Sequence, residues 1–331
     1  MNTAPSPWPR VLATVALLTV IISALLTAFA WPATRAAVHD IPIAVAGPPA
    51  AAARVTAAVA DNRPGAFTVS TVAGTAAAET AIRHRDVYGA IDLTGGTPQV
   101  LTASAASPAV AQALQGVAAA LSGSAAPPVR DIVPLPADDA RGAGLAAAAL
   151  PMVLGGMLAA VLLSLRVDGA TRRIAGALTY AALGGLAMTA ILQYWLGSLT
   201  GDYLTNAAVM ALALGAPALT ILGFESLLGT AGFGAGAVLL MLLGNPLSGA
   251  TSAPEMLPGW SGAAGQFLPP GASQSLLRSA AFFDGHAAAR PLTVLLCWLA
   301  AGLALTVAGS RRRSTAAAVT RVAPVPAAPH R

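Results

Sequence analysis

Four histidines, 13 carboxylates and one cysteine are the groups from which catalysis would have to be assembled in this chain of 331 residues. His84 stands two positions before Asp86, and Asp284 two before His286, so each pair invites an acid–base or hydrolase reading. A hydrolytic triad also needs a nucleophile facing an oriented base, and no Gly-x-Ser-x-Gly elbow marks one. These four side chains are therefore expected to be solvated surface groups. Metal chemistry has no better footing, because the histidines stand apart and no His-Glu-x-x-His spacing occurs. Cys297 alone makes neither an intrachain disulfide nor a thiolate cluster. The chain is expected to be no enzyme and to carry no cofactor or metal.

All 18 basic residues are arginine. A phosphate loop of the Walker type needs a lysine, as does Schiff-base chemistry, so both are excluded. Work drawn from ATP would need a second protein. Gly229, Gly232, Gly234 and Gly236 superficially match a dinucleotide fingerprint, which requires a preceding strand and a helix N-terminus in water. Inside an apolar segment, Gly232 and Gly236 read instead as a small face for close helix packing. The pattern does not choose between a neighbour in this chain and one in a second subunit.

The least ordinary stretch runs from Asn245 to Gly285. Pro246, Pro254, Pro258, Pro269 and Pro270 forbid one continuous helix, yet Met256, Leu257, Trp260, Phe267 and Leu268 are too apolar for a free loop. From Ala272 to Phe283 the apolar residues Leu276, Leu277, Ala280 and Phe283 recur at helical spacing, with Gln274 and Arg278 expected on the opposite, polar face. Two readings are open: a re-entrant segment dipping into the bilayer, or a helix lying at its surface.

The elements that must carry these residues are membrane helices. The chain is 56% hydrophobic and 9% charged, with a mean hydropathy of +0.70. Apolar segments at 11–31, 145–165, 174–196, 206–223, 227–243 and 291–309 predict six transmembrane helices, since a core of about 30 Å needs about 20 apolar residues. The first is expected to be an uncleaved anchor, too long for the apolar core of a signal peptide. Ionisable residues inside the spans are almost absent, which argues against an ion-coupled pump.

Charge sets the expected orientation. With both termini cytoplasmic, the inner segments hold nine arginines against Asp168 and Glu225, as the positive-inside rule requires. The stretch that follows the first span then lies outside, with seven arginines against eight carboxylates. The basic balance is thus a topology signal and not the footprint of nucleic acid. Residues 1–10 are expected to be a cytoplasmic N-terminus too short and proline-rich to fold, and 310–331 a disordered cytoplasmic tail.

Residues 36–143 alternate between periods of 2 and 3.6. Strands are expected at 41–47, around 66–74, at 87–93, 98–104 and 129–135, and helices at 48–62, 75–85 and 107–121. The predicted fold class is therefore an α-helical polytopic membrane protein with an inserted extracytoplasmic α/β domain.

Several of these stretches resemble a known family. GNPLSG, EMLPGW and LPPGASQSLLRSAAFFDG, with DIVPLPADDARGAGLAAAALPMVLGG and VYGAIDL, look like the ABC type 2 transporter permeases, in the actinobacterial branch related to the phage infection protein. The resemblance implies a multi-pass half-transporter in a bacterial plasma membrane that forms a homodimer or heterodimer and is driven by a separate cytoplasmic ATPase subunit. It implies a re-entrant outer gate at 245–285, carried by Asn245, Pro246, Pro258, Trp260, Pro269, Pro270, Gly271, Arg278, Phe283 and Asp284. It also implies ATPase-facing loops at 166–173 and 224–230, with Arg166, Asp168, Arg172, Arg173 and Glu225. Typical members open with an amphipathic cytoplasmic helix, for which ten residues with three prolines are too short. The alternative reading is a non-transporting envelope receptor or scaffold that works through the α/β domain.

Overall fold

Long runs of alanine, leucine and valine without charge have one stable solution in a bilayer, the helix that satisfies its own backbone. The structure, a computed structural model, describes residues 6–122 and 127–322. It holds five helices long and apolar enough to cross a membrane. They are α1 (Trp8–Arg35), α5 (Ala143–Arg166), α6 (Ala170–Ala190, continued by a π-helical turn Ile191–Trp195), α7 (Tyr203–Leu228) and the first part of α11 (Ala289–Val322). This is the architecture of a multi-pass membrane protein.

Three expectations about these helices are corrected. Trp8 to Arg10 of the N-terminal segment are helical: α1 begins at Trp8, because a proline in the first turn removes no helical hydrogen bond, while residues 1–5 lie outside the described residues. The expected tail continues α11 through the arginines to Val322, in keeping with the helix propensity of its alanines. Residues 323–331 of that tail lie outside the described residues. The fifth apolar segment does not form a full-length helix. Gly229, at φ 62°, ends α7, and the chain resumes as α8 (Ala231–Ala237) followed by a π-helical stretch, Val238–Gly244. Its 7 and 7 residues reach about 21 Å at about 1.5 Å per residue, short of a hydrocarbon core.

A second short helix, α10 (Pro269–Phe282), follows residues 245–268. Both pieces climb along α7. Gly232 sits against the backbone of Phe224 and Glu225, and Gly236 against Ile221. Asn245, Pro270 and Ser273 share a small void with Ala213 and Pro217. Leu277 and Ala281 pack with Met210, Ala213 and Leu199 at the far end. A Cβ on Gly244 would stand 2.8 Å from the Pro270 ring, so the half-helix abuts the start of α10. Between them residues 245–268 leave the bundle and return, through a 3-10 turn at Pro254–Met256 and the short α9 (Ser261–Gly265).

A small sheet stands at the end of the bundle where α5 and α7 begin. Its strands are β1 (Ile41–Ala46), β2 (Phe67–Val72), β3 (Gly89–Asp92), β4 (Gln99–Thr102) and β5 (Val129–Asp131), in the order β2-β1-β3-β4-β5. β1 pairs in parallel with β2 and β3, β3 with β4 antiparallel, and β4 with β5 in parallel. Crossovers run through α2 (Pro49–Asn62), α3 (Thr75–Arg83) and α4 (Pro108–Ser122). The period of two in IPIAVA divides its burial. Ile41, Ile43 and Val45 face a core with Val59 of α2 and Leu114 of α4, while Ala44 and Ala46 face Ala78 and Ile82 of α3.

Candidate functional site

The 245–283 segment and the sheet are packed as one body. Ala253 is buried in the first sheet core, with Met256 against it, and Phe283 is buried in the second. The Ala37 amide donates to the Met256 carbonyl at 2.9 Å. Across the same joint, the Tyr88 hydroxyl donates to Glu255 Oε2 at 2.7 Å. Arg85 reaches from the end of α3 to the Ser275 carbonyl at 3.0 Å and Ser279 Oγ at 2.6 Å, its guanidinium 5.2 Å from the centroid of Phe283.

A cleft of about 680 Å³ lies at this joint, between the sheet's lower edge, the 254–266 stretch, α10 and the start of α11. Its walls include His39, Asp40, Arg85, Tyr88, Glu255, Gln266, Arg278 and Arg290. Burial sets the protonation behaviour. Desolvation lowers the Arg85 pKa from its usual value, against the opposing pull of Tyr88 and Glu255. Desolvation, then the neighbouring Glu255 carboxylate, pushes the Tyr88 hydroxyl well above the ordinary phenol range, so it remains a neutral donor.

One expectation about α10 is reversed here. Gln274 and Arg278 do not form a solvated face: Gln274 is 1% exposed and Arg278 7%. The sheet and the 245–268 excursion cover the side of α10 that a lone amphipathic helix would give to water. Arg278 donates to the Ala250 carbonyl at 2.7 Å.

The other expected gate residues are divided. Asn245, Pro270 and the backbone near Gly271 lie in the bundle, where a Cβ on Gly271 would meet the Gly265 carbonyl. Pro246 is half-buried, and Pro269 is buried at the start of α10. Pro258 is half-buried, while Trp260 points outward at 75% exposure. Asp284 is exposed beyond α10. His84 and His286, which the sequence places in separate pairs, stack on each other at 4.2 Å between ring centroids. Among the described residues no group of three potential ligands forms a metal site.

At the opposite end of the bundle, Arg166, Asp168 and Arg172 are exposed on the α5–α6 turn. Arg173 and Glu225, expected on ATPase-facing loops, pair with each other. Residues 224–228 are the last helical turn of α7 rather than a loop. Gly232 and Gly236 pack against α7 of this same chain, which answers the question their spacing left open.

No protein-family model, curated protein or solved structure matches this chain. Arg85, Tyr88, Glu255 and Arg290 were not singled out by sequence reasoning. Arg85 and Ser279 are 194 positions apart, and no local periodicity reports such a meeting.

Proposed function

We propose that this chain is the permease-like membrane subunit of an ABC type 2 exporter, energised by a separate cytoplasmic ATPase and working as a dimer in a bacterial plasma membrane. The observation that carries the reading is the interrupted path made by α8 and α10 along α7. Counted as one discontinuous crossing, the two pieces bring the spans to six and leave both termini cytoplasmic. Irregular backbone at membrane depth is tolerated only where protein or a water-filled path covers it, and broken helices mark substrate routes in transporters. In this reading 245–285 form the re-entrant outer gate, held by the sheet, which forms an extracytoplasmic α/β domain. Arg166, Asp168 and Arg172 provide an exposed polar surface for the ATPase.

The test is copurification from gentle detergent, with nucleotide hydrolysis of a candidate ATPase measured with and without this chain. A stable complex with altered hydrolysis is expected. Recovery without any ATPase, together with unchanged hydrolysis, would sink the proposal. The cleft beside the sheet favours a second reading, an envelope receptor whose external domain does the work. That reading predicts loss of all function when the cleft is blocked, with any ATPase coupling left intact.

A further inference from the structure

The cleft at the joint contains guanidinium groups that its own carboxylates do not neutralise. Arg85, Arg278 and Arg290 line it, against Asp40 and Glu255, and Glu255 already accepts from Tyr88. Among the described residues, neither Arg85 nor Arg278 forms an ion pair. Arg278 spends one nitrogen on the Ala250 carbonyl, and Arg85 places both of its hydrogen bonds through Nη1. A guanidinium offers five N–H donors, so among the described residues most of this capacity is not taken up by the protein's own groups. Two such cations in one poorly solvated cavity repel each other, and each is costly to bury without a counter-charge.

The backbone points the same way. Asp40, Arg85 and Ala287 all line the cleft and all hold a left-handed conformation, at φ 51°, 64° and 59°. Glycine is the residue that takes this conformation without strain, and strained non-glycine positions cluster where a ligand is clamped. Arg85 follows the last turn of α3, where glycine is the ordinary choice. What arginine adds there is its side chain. His39 Nδ1, on the same wall, is buried without a partner.

We infer that this cleft binds a phosphate group, gripped by the buried Arg278 and Arg85 and met at the exposed side by Arg290. A phosphate carries up to two negative charges and enough oxygens to engage several guanidinium forks at once, which a single carboxylate does not. About 680 Å³ suits a small phosphate ester or a lipid headgroup and far exceeds one water. Trp260 and Phe267 stand next to the lining residues Gly259 and Gln266 and are 75% and 57% exposed, an apolar flank along which a phospholipid could enter. This inference does not depend on transport.

The test uses the full chain in detergent. Its unfolding midpoint is titrated with inorganic phosphate and glycerol phosphate, against chloride at matched ionic strength. In a second arm, native mass spectrometry counts phospholipid retained by the protein after delipidation. Saturable stabilisation by soluble phosphate assigns a soluble ligand; one retained phospholipid without that response assigns a lipid headgroup. In either arm, Arg278→Gln and Arg85→Gln should weaken binding at least tenfold, and Arg290→Gln by a smaller factor. Glu255→Gln, which removes the competing charge and keeps an acceptor for Tyr88, should tighten it. Should Arg278→Gln fail to fold, the exposed Arg290→Gln and the isosteric Glu255→Gln still decide the matter by moving affinity in opposite directions. No response beyond chloride in both arms, or one that these substitutions leave unchanged, overturns the inference.

Discussion

Arg173 of α6 reaches Glu225 of α7 with 3.2 Å between Nη1 and Oε2, while its Nε and Nη2 donate to the Val167 and Ser164 carbonyls. One guanidinium thus closes the C-terminal end of α5, the turn after it and the last turn of α7. Both side chains are largely withdrawn from solvent, at 17% and 10% exposure. Removing one partner breaks a largely buried charge pair and costs about 3 kcal/mol. Arg173→Met and Glu225→Gln should each lower the unfolding midpoint in detergent. Arg173→Lys should recover only part of the loss, because an ammonium lacks the fork that serves two carbonyls.

The glycines of α8 form a graded series. A Cβ on Gly232 would stand 2.3 Å from the Phe224 carbonyl carbon, on Gly236 2.6 Å from Ile221 Cγ1, and on Gly234 it would meet nothing. Backbone yields less readily than the end of a side chain. Gly232→Ala should therefore destabilise by about 1–3 kcal/mol and Gly236→Ala by less. Gly234→Ala should gain up to about 1 kcal/mol from helix propensity. Thermal unfolding of the three variants checks the order.

Cys297 is exposed on α11, inside the stretch apolar enough to cross a bilayer. As the chain's only cysteine, it reports on its surroundings without engineering. In intact membranes neither an apolar nor a charged maleimide should label it readily, because the reactive thiolate does not form in hydrocarbon, whereas the detergent-denatured chain should label. Ready labelling by both would place this face of α11 in water.

Asp92 ends β3 at 4% exposure, accepting from Thr75 Oγ1 at 2.6 Å, the Thr94 amide at 3.0 Å and Thr94 Oγ1 at 2.7 Å. Burial raises its pKa, but the three hydrogen bonds outweigh it and the net shift is downward. A carboxylate depressed in the folded state stabilises above its unfolded value, and that contribution is lost as pH falls through the folded one. Hydrogen exchange should show the sheet opening more readily in acid. Asp92→Asn should weaken it by about 1 kcal/mol at neutral pH, with the difference from the parent vanishing at low pH.

Where one segment carries its own periodicity, the sequence was easy to read. IPIAVA alternates large and small residues for two different cores, and β1 lies where that alternation places it. The long spans are visible for the same reason, since nothing but a helix hides so much backbone in lipid. Reading failed where a partner distant in sequence decides. The wheel of α10 turns Arg278 toward water only if nothing covers that side, and the covering pieces come from residues 36–143 and 245–268. Glu225 reads as a turn residue until Arg173, 52 positions earlier, is seen to hold it in a helix. The α8 break needed Gly229, one glycine among several in the same stretch.

The helix α7 is enclosed by α5, α6, α8, α10 and α11, and it is buried over most of its circumference. A rod gripped from every side cannot tilt without unseating all its neighbours together. If the bundle rearranges during a working cycle, α7 is then the stator, and displacement falls to shorter pieces whose ends are broken backbone. α10 is such a piece, bounded by two prolines at its start and by Gly285, at φ 79°, just beyond its end. Because α10 is bonded to the sheet through Arg85, a push on the sheet would travel to the middle of the bundle as a sliding of α10 along a fixed rail. Slower amide exchange in α7 than in α10 is the signature of that division.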